Sequence, residues 1–363
     1  MRIAVVGLGL IGGSLALAAT ARGDEIWAYD ADPDAGRIGL ERGAVARVDD
    51  SLEGALDGAE LAFVCGPVAE LPSLARQVLD AAPDGCAVSD VGSTKGRLVA
   101  ALGAHPQFVG GHPVCGSEAR GMANARPELF DGATWFLTPV AETDPVAHRR
   151  LHTFVSSLGA RPVAIDPDAH DRLVALTSHL PHALANVLVN QAGAGKVDGH
   201  DPLAAVGGSF RDMTRVAGAN PRIWVDIFLD NRGALLDGLR EHHRRVDELV
   251  RALEREDAGF VARWIAEASG HRRRLLQAAY PAQPEELYRV RVHVPDRPGV
   301  LSGITQALGA EGINIEDFEL HHMSADRGGT VVVTIAGEAE AQRAVALLDE
   351  QGYGAIAAPA VDE

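Results

Sequence analysis

Cysteine is scarce in this chain of 363 residues: Cys65, Cys86 and Cys115 are the only three, and no CxxC pair occurs. So odd and sparse a set excludes a disulfide scaffold and a cysteine-rich metal site, and it suits a reduced cytoplasm. Long hydrophobic runs are missing as well. No charge-free apolar stretch reaches about 18 residues, so no membrane span is expected. Positive charge is in deficit, with Lys+Arg 33 against Asp+Glu 50 and a formal charge of -17. Nucleic acids and anionic membranes are normally met with the opposite excess, so neither is an expected partner. A few buried arginines can still make a local positive pocket, which leaves an anionic substrate open. No low-complexity tract stands out beyond general Ala and Gly richness. What the chain does have is apolar material, 47%, enough for several cores. At roughly 150 residues per domain the length allows two to three domains.

The N-terminal MRIAVVGLGLIGGSL superficially resembles a signal peptide, but its glycines and the pattern that follows argue for a strand and helix. Arg2 to Val6 reads as a short strand, followed by Gly7-Leu8-Gly9-Leu10-Ile11-Gly12 and an Ala/Leu-rich helix to about Ala21. A second strand, Glu25 to Tyr29, ends at Asp30. Strand, glycine turn, helix, strand and terminal acid make a Rossmann-like dinucleotide-binding βαβ unit. The glycines permit a tight bend and close approach of a pyrophosphate to the backbone. The helix start at Leu10 and Ile11 offers free N–H groups and a positive dipole end. Asp30 is placed to accept from ribose hydroxyls and would repel a 2′-phosphate, which favours NAD over NADP. Further βα units follow at Leu61 to Cys65 and Ala87 to Ser89, the latter ending in Asp90-Val91-Gly92-Ser93-Thr94-Lys95. A strand near Phe108 to Gly110 precedes Gly111-His112-Pro113, and Thr134 to Leu137 with Arg161 to Ile165 close the sheet.

From Asp166 the pattern turns helical. His170 to Asn190 reads as one long helix, broken or kinked around Pro181. More helices run to Tyr280, with apolar residues at spacings of three and four between Ile223 and Ser269. A short linker, Pro281 to Pro284, leads to a βαββαβ module of ferredoxin-like order. Its elements are a strand at Tyr288 to Val294, a turn at Asp296-Arg297-Pro298-Gly299, a helix from Val300, and strands at Asn314 to His321 and Gly329 to Ile335. A second helix spans Ala339 to Gln351, and a short last strand falls near Ala355. The expected domains are therefore 1–165 for the dinucleotide, 166–280 for a helical substrate and dimerisation domain, and 287–363 for the terminal module.

Several residues could carry chemistry. His112, between glycine and proline after a strand, suits a base for a substrate hydroxyl that loses its proton as hydride leaves the same carbon; a turn histidine satisfied by backbone is the plainer reading. His179 and His182 lie three apart on a helix, which permits a shared face and a metal, but no carboxylate or cysteine cluster completes a zinc set. Contact with substrate or cofactor and structural hydrogen bonding both remain open for them. His170-Asp171 reads as a helix-start pair for capping and packing. Arg211 and Arg215 share a face, and an Asp212–Arg215 pair would leave the other guanidinium to clamp a carboxylate. Trp224 either walls a pocket or, as composition favours, fills the helical core. Ser93 and Lys95 are placed to reach a nicotinamide and substrate, or simply to cap a helix.

Taken together, GLGLIGGSL at 7–15, DVGSTKG at 90–96, GGHPVCGSE at 110–118, LFDGATWFLTP at 129–139, HDRLVALTSHLPH at 170–182 and GGSFRDMTRVAGANPRIWVDIFLDN at 207–231 resemble prephenate dehydrogenase, the TyrA family of tyrosine biosynthesis. VPDRPGVLSGI at 294–304 and EGINIEDF at 311–318 resemble an ACT domain. No chorismate mutase segment precedes the nucleotide domain, which excludes the bifunctional form of some relatives.

The resemblance implies NAD-dependent oxidation of the ring C4 hydroxyl of prephenate with loss of the C1 carboxylate as CO2, giving 4-hydroxyphenylpyruvate. It implies His112 as the base, Ser93 beside it and near the nicotinamide, and Arg215 as the anchor of the ring carboxylate. Ser117, His179, His182 and Trp224 become pocket residues, and Gly7, Gly9, Leu10, Ile11, Gly12, Asp30 and Ser93 hold the cofactor. A homodimer is the expected assembly and no metal is expected. The ACT module implies an amino-acid sensor, with tyrosine as feedback inhibitor bound by Asp296, Pro298, Gly299 and Asn314. Cys115 stands where relatives often carry alanine and Ser209 where glycine is usual; a thiol so near the base suggests sensitivity to thiol reagents. Arogenate, with an amino acid in place of the keto acid, is the alternative substrate, decided around 178–182 and 207–209. A β-hydroxyacid dehydrogenase would want a lysine on the first long helix of the second domain, and none lies near 170–182. A non-catalytic module binding NAD and an amino acid is a further alternative, which the intact Ser93, His112 and Arg215 argue against.

Overall fold

A computed structural model of the chain describes residues 1–115, 119–279, 287–324 and 328–360. They form two compact units, Met1–His243 and Arg244–Glu363. The first begins β1 (Arg2–Val6), α1 (Leu10–Ala21), β2 (Glu25–Tyr29), α2 (Pro33–Glu41), β3 (Arg47–Val48), α3 (Leu52–Leu56), β4 (Leu61–Val64), α4 (Leu71–Ala81), β5 (Ala87–Asp90), α5 (Gly96–Leu102) and β6 (Phe108–Pro113). It continues with β7 (Thr134–Thr138), α6 (Pro145–Ser157) and β8 (Arg161–Ala164). These strands make one eight-stranded sheet in the order β3-β2-β1-β4-β5-β6-β7-β8. β1 to β6 run parallel, and β7 pairs antiparallel with β6, Gly111 opposite Leu137 and His112 opposite Phe136.

A parallel sheet covered on both faces must be apolar on both. Along β1, Ile3 and Val5 join one buried cluster while Ala4 and Val6 join the other. The order reverses between β1 and β4, and ligands of open α/β sheets sit in the crevice at the carboxyl ends beside that reversal. His112, expected after its strand, lies within β6. Two glycines let the strand run on. A Cβ at residue 111 would sit 2.5 Å from the Asp90 carbonyl oxygen, and one at 110 would sit 2.3 Å from Thr138 Oγ1.

Helices follow: α7 (Pro167–Val174), α8 (Leu180–Gly193), α9 (Gly208–Thr214), α10 (Pro221–Asp230) and α11 (Arg232–Glu254), within which the two units divide. Between α7 and α8 the chain makes a π-helical turn, Ala175–His179. The expected break at Pro181 thus takes the form of a widened turn just before it. Proline has no N–H to donate and its ring crowds the carbonyl four residues back, at Thr177, inside that turn.

The second unit holds the end of α11, then α12 (Ala258–Ala279), β9 (Leu287–Val294), α13 (Val300–Ala310), β10 (Asp317–Ser324), β11 (Gly328–Ala336), α14 (Glu338–Glu350) and β12 (Gly354–Pro359). β9 to β12 form an antiparallel sheet in the order β10-β11-β9-β12. Val290, Val292 and Val294 alternate into a core with Ile304, Leu308, Ala344 and Leu348 of α13 and α14. The expected βαββαβ order is present. Asn314, expected to open the second strand, instead precedes it in the loop, where its side-chain amide donates to Glu316 Oε1 at 2.7 Å. Among the described residues, no helix is long and apolar enough to cross a membrane.

Candidate active site

The loop after β1 is shaped by what its glycines exclude. Gly7 has φ +101°, and a Cβ there would meet the Cys65 carbonyl oxygen at 2.5 Å. A Cβ on Gly12 would lie 2.0 Å from the Gly7 carbonyl oxygen, so α1 can approach β1 only with glycine there. Gly9 differs: a Cβ would touch nothing within 4 Å. The open space lies at the start of α1, which has no capping side chain and no acidic residue in its first turn. The N–H groups of Leu10 and Ile11 have no intrahelical acceptor. An anion fits this cradle, held by backbone donors and the helix dipole. At the end of β2, Asp30 is held by the Leu8 and Asp32 N–H groups. These residues fit a dinucleotide, with its pyrophosphate at Gly9.

Beside the cradle, the loop after β5 is pinned by a buried pair, Lys95 Nζ with Asp90 Oδ2, both side chains without solvent exposure. Asp90 also accepts from Gly92 N–H at 2.8 Å and from Gly111 N–H at 3.0 Å. Lys95 therefore locks β5, β6 and the loop together. It does not extend toward a nicotinamide as the sequence suggested, because its charge is spent on Asp90. Ser93 lies half-buried in the same loop.

His112 is the centre of a histidine cluster. Its Nδ1 stands 2.8 Å from His170 Nε2, and His170 Nδ1 stands 2.8 Å from Asp171 Oδ1. Asp171 Oδ1 also accepts from Lys95 N–H, and Oδ2 from Gly96 N–H, each at 2.8 Å. The pair is thus not the helix-start cap that sequence suggested. Asp166 caps α7 by accepting from Ala169 N–H at 2.9 Å, while Asp171 caps the distant start of α5. Asn231 donates to the Asp171 carbonyl at 2.8 Å and stands 3.2 Å from His179 Nδ1.

Burial pushes His112 well below its ordinary value, reinforced by His170, Lys95 and His179. Burial likewise lowers His179 to about 4. Burial works against ionised Asp171, but hydrogen bonds from His170, Gly96 and Lys95 win and hold its carboxyl below the usual range. His112 and His179 are therefore neutral at pH 7, and Asp171 is an anion. Among the described residues, His112 Nε2 has no hydrogen-bond partner.

The π-helical turn carries a second cluster of rings. It ends on buried His179, and one turn later His182 lies flat on Trp224, with ring centroids 3.5 Å apart and planes 24° apart. Trp224 is half-buried and also meets His179 edge-on at 6.1 Å. His182 Nδ1 stands 3.0 Å from the Ser178 carbonyl. Burial lowers His182, the Ser178 hydrogen bond opposes this, and the Arg215 charge adds to the lowering. Arg215 follows α9, exposed; among the described residues it has no ion pair, and the expected Asp212–Arg215 pair is absent. A guanidinium without an ion pair, close enough for its charge to act on His182, can grip a carboxylate.

Ser117 lies outside the described residues. Asp296, Pro298 and Gly299 occupy the β9–α13 loop, with Gly299 at φ +89°. Burial pushes the Cys115 thiol up to about 12, over the opposing charge of Arg126, which disfavours the thiolate that thiol reagents attack. Sequence reasoning gave no site role to His170, Asp171 or Asn231. An acid directly after a histidine was the only local signal, since every other partner that defines their role is remote in sequence.

A family model described as the nucleotide-binding domain of prephenate dehydrogenase matches residues 14–164, and one for its dimerization domain matches 166–267. An ACT domain model matches 288–351. A prephenate dehydrogenase of Bacillus subtilis (strain 168) is 33% identical over 351 residues, 94% of each chain. The chain belongs to the prephenate dehydrogenase family. It is an oxidoreductase of that family, with a Rossmann-like domain, a helical dimerization domain and an ACT-type terminal domain. Among solved structures, the prephenate dehydrogenase of A. aeolicus in complex with hydroxyphenyl propionate and NAD+ is 27% identical, TM-score 0.70, over 76% of this chain and 98% of that one. The arogenate dehydrogenase of Synechocystis is 30% identical, TM-score 0.69, over 76% of this chain and all of that one.

Proposed function

We propose that the chain oxidises prephenate with NAD, releasing CO2 and 4-hydroxyphenylpyruvate, and that tyrosine acting on the ACT domain restrains it. The observation that carries this is His112: a neutral imidazole at the carboxyl end of the sheet, with one nitrogen tied to His170 and the other free. NAD held by Gly7, Gly9, Leu10, Ile11, Gly12, Asp30 and Ser93 supplies the hydride acceptor. His112 Nε2 takes the proton of the substrate's C4 hydroxyl as that carbon is oxidised. Arg215 holds the ring carboxylate, which leaves as CO2 when the ring aromatises. His179, His182, Trp224 and Ser117 enclose the substrate and keep reacting atoms aligned, which is the main task when aromatisation supplies the driving force.

Prephenate is favoured over arogenate because the relative matched along 94% of this chain is a prephenate dehydrogenase. We assign 1–165, 166–280 and 287–363 to cofactor, substrate and regulatory domains, with Asp296, Pro298, Gly299 and Asn314 as the tyrosine contacts. A homodimer formed through the helical domain would cover apolar side chains exposed on it, among them Met213, Val225 and Leu229.

Two variants test the assignment. His112→Asn should cut kcat by at least about 10²-fold. Arg215→Gln should act chiefly on KM, because a group holding a departing carboxylate stabilises the ground state as much as the transition state. Its loss is worth about 1–3 kcal/mol of charge-assisted hydrogen bonding. Near wild-type kcat in the His112 variant would sink the base assignment.

A further inference from the structure

We propose that Asp171 and His170 form a hydrogen-bond chain of fixed polarity that holds His112 in the one neutral tautomer able to accept a proton at Nε2. This positioning role rests on the reading of His112 as the base. The polarity starts at Asp171, an ionised carboxylate that can only accept. Backbone donors from Lys95 and Gly96, each at 2.8 Å, fix its two oxygens at the start of α5. Because Oδ1 accepts, His170 Nδ1 must carry the hydrogen across their 2.8 Å contact. In its neutral form His170 then presents a lone pair at Nε2. His112 Nδ1, 2.8 Å away, must in turn be the donor. The hydrogen of His112 is thereby kept on Nδ1, and Nε2 is left as an acceptor. A free neutral imidazole favours the opposite arrangement, with hydrogen on Nε2, so the chain reverses an intrinsic preference.

Little else competes for these rings. His170 is fully buried, and the Phe136 ring on β7 meets it edge-on at 5.4 Å. Lys95, whose ammonium is paired to Asp90, and His179 on the π-helical turn act on His112 through space. The same chain stabilises the product of proton transfer. When His112 becomes an imidazolium, its Nδ1–H already points at a nitrogen polarised by the Asp171 anion.

A pH dependence follows for His112 itself. Its protonation consumes the acceptor at Nε2, and burial holds that protonation well below the ordinary histidine range, so kcat should be full at neutral pH and fall only as the medium becomes acidic enough to charge this ring.

The direct test is nitrogen NMR of the full chain labelled at its 14 histidines, in mildly alkaline buffer without substrate, with the His112 signals assigned by their loss in His112→Gln. The proposal requires hydrogen on Nδ1 of His112 in the wild type and its shift to Nε2 in His170→Leu. A wild-type His112 protonated at Nε2 overturns it. This readout needs no turnover, so it stands apart from the substrate reading, which fails separately if neither prephenate nor arogenate is oxidised.

Kinetics supply a second arm. His170→Leu should lower kcat by about 10²-fold and leave KM within about twofold. His170→Gln keeps an acceptor for the Nδ1–H, so it should recover most of kcat. A purely structural role for His170 predicts equal losses in both variants, and that result contradicts the proposal.

Discussion

A methyl group at residue 9 would meet no atom within 4 Å, whereas at residue 12 it would lie 2.0 Å from the Gly7 carbonyl oxygen. Gly9 has φ -71°, which any residue adopts. Gly9→Ala should therefore leave the thermal midpoint unchanged or slightly higher, since alanine restricts the unfolded chain. It should also weaken NAD binding by about tenfold or more, because the methyl occupies the space a pyrophosphate needs. Calorimetric titration with NAD checks this; undiminished affinity would place the cofactor elsewhere. The glycine loop was legible in the sequence because its constraint is local: strand, turn and helix are contiguous. The residues behind His112 were not. Asp171 is defined by backbone donors 76 and 75 residues earlier in the chain, and no window of sequence displays that.

Among the elements, periodicity located the long strands and helices to within a few residues, and it failed where an element is short or irregular. β3 has two residues, too few for alternation to register. The π-helical turn was visible only as an expected break at Pro181, while its consequence, a turn that ends on His179 and sets His182 against Trp224, depends on packing from α10. The continuation of β6 through His112 depends on antiparallel pairing with β7. The junction of β5, β6 and the loop between β5 and α5 hangs on the buried Lys95–Asp90 pair. Removing one member leaves the other charge uncompensated away from water. Lys95→Met should cost about 3–5 kcal/mol in urea unfolding, and Asp90→Asn added to it should cost much less than the sum of the two single changes. A loss below about 1 kcal/mol in the single variant would mean the pair does not hold the junction.

At the scale of the whole chain, the order of motifs located three kinds of domain, which three family models match. The structure adds what each unit exposes. In the first unit Met213, Val225 and Leu229 are 68%, 52% and 60% exposed, and in the second Trp264 is 44% exposed. The net charge of -17 is compatible with the proposed anionic substrate, which the exposed Arg215 would attract locally. The central claim is the reaction itself. It is tested most directly by following NADH formation from NAD with prephenate and with arogenate in parallel, each with and without tyrosine. The account predicts strong turnover of prephenate, suppressed by tyrosine. Turnover of arogenate alone would contradict the substrate assigned here, and silence with both substrates, at NAD concentrations that saturate the chain, would contradict the assigned reaction altogether.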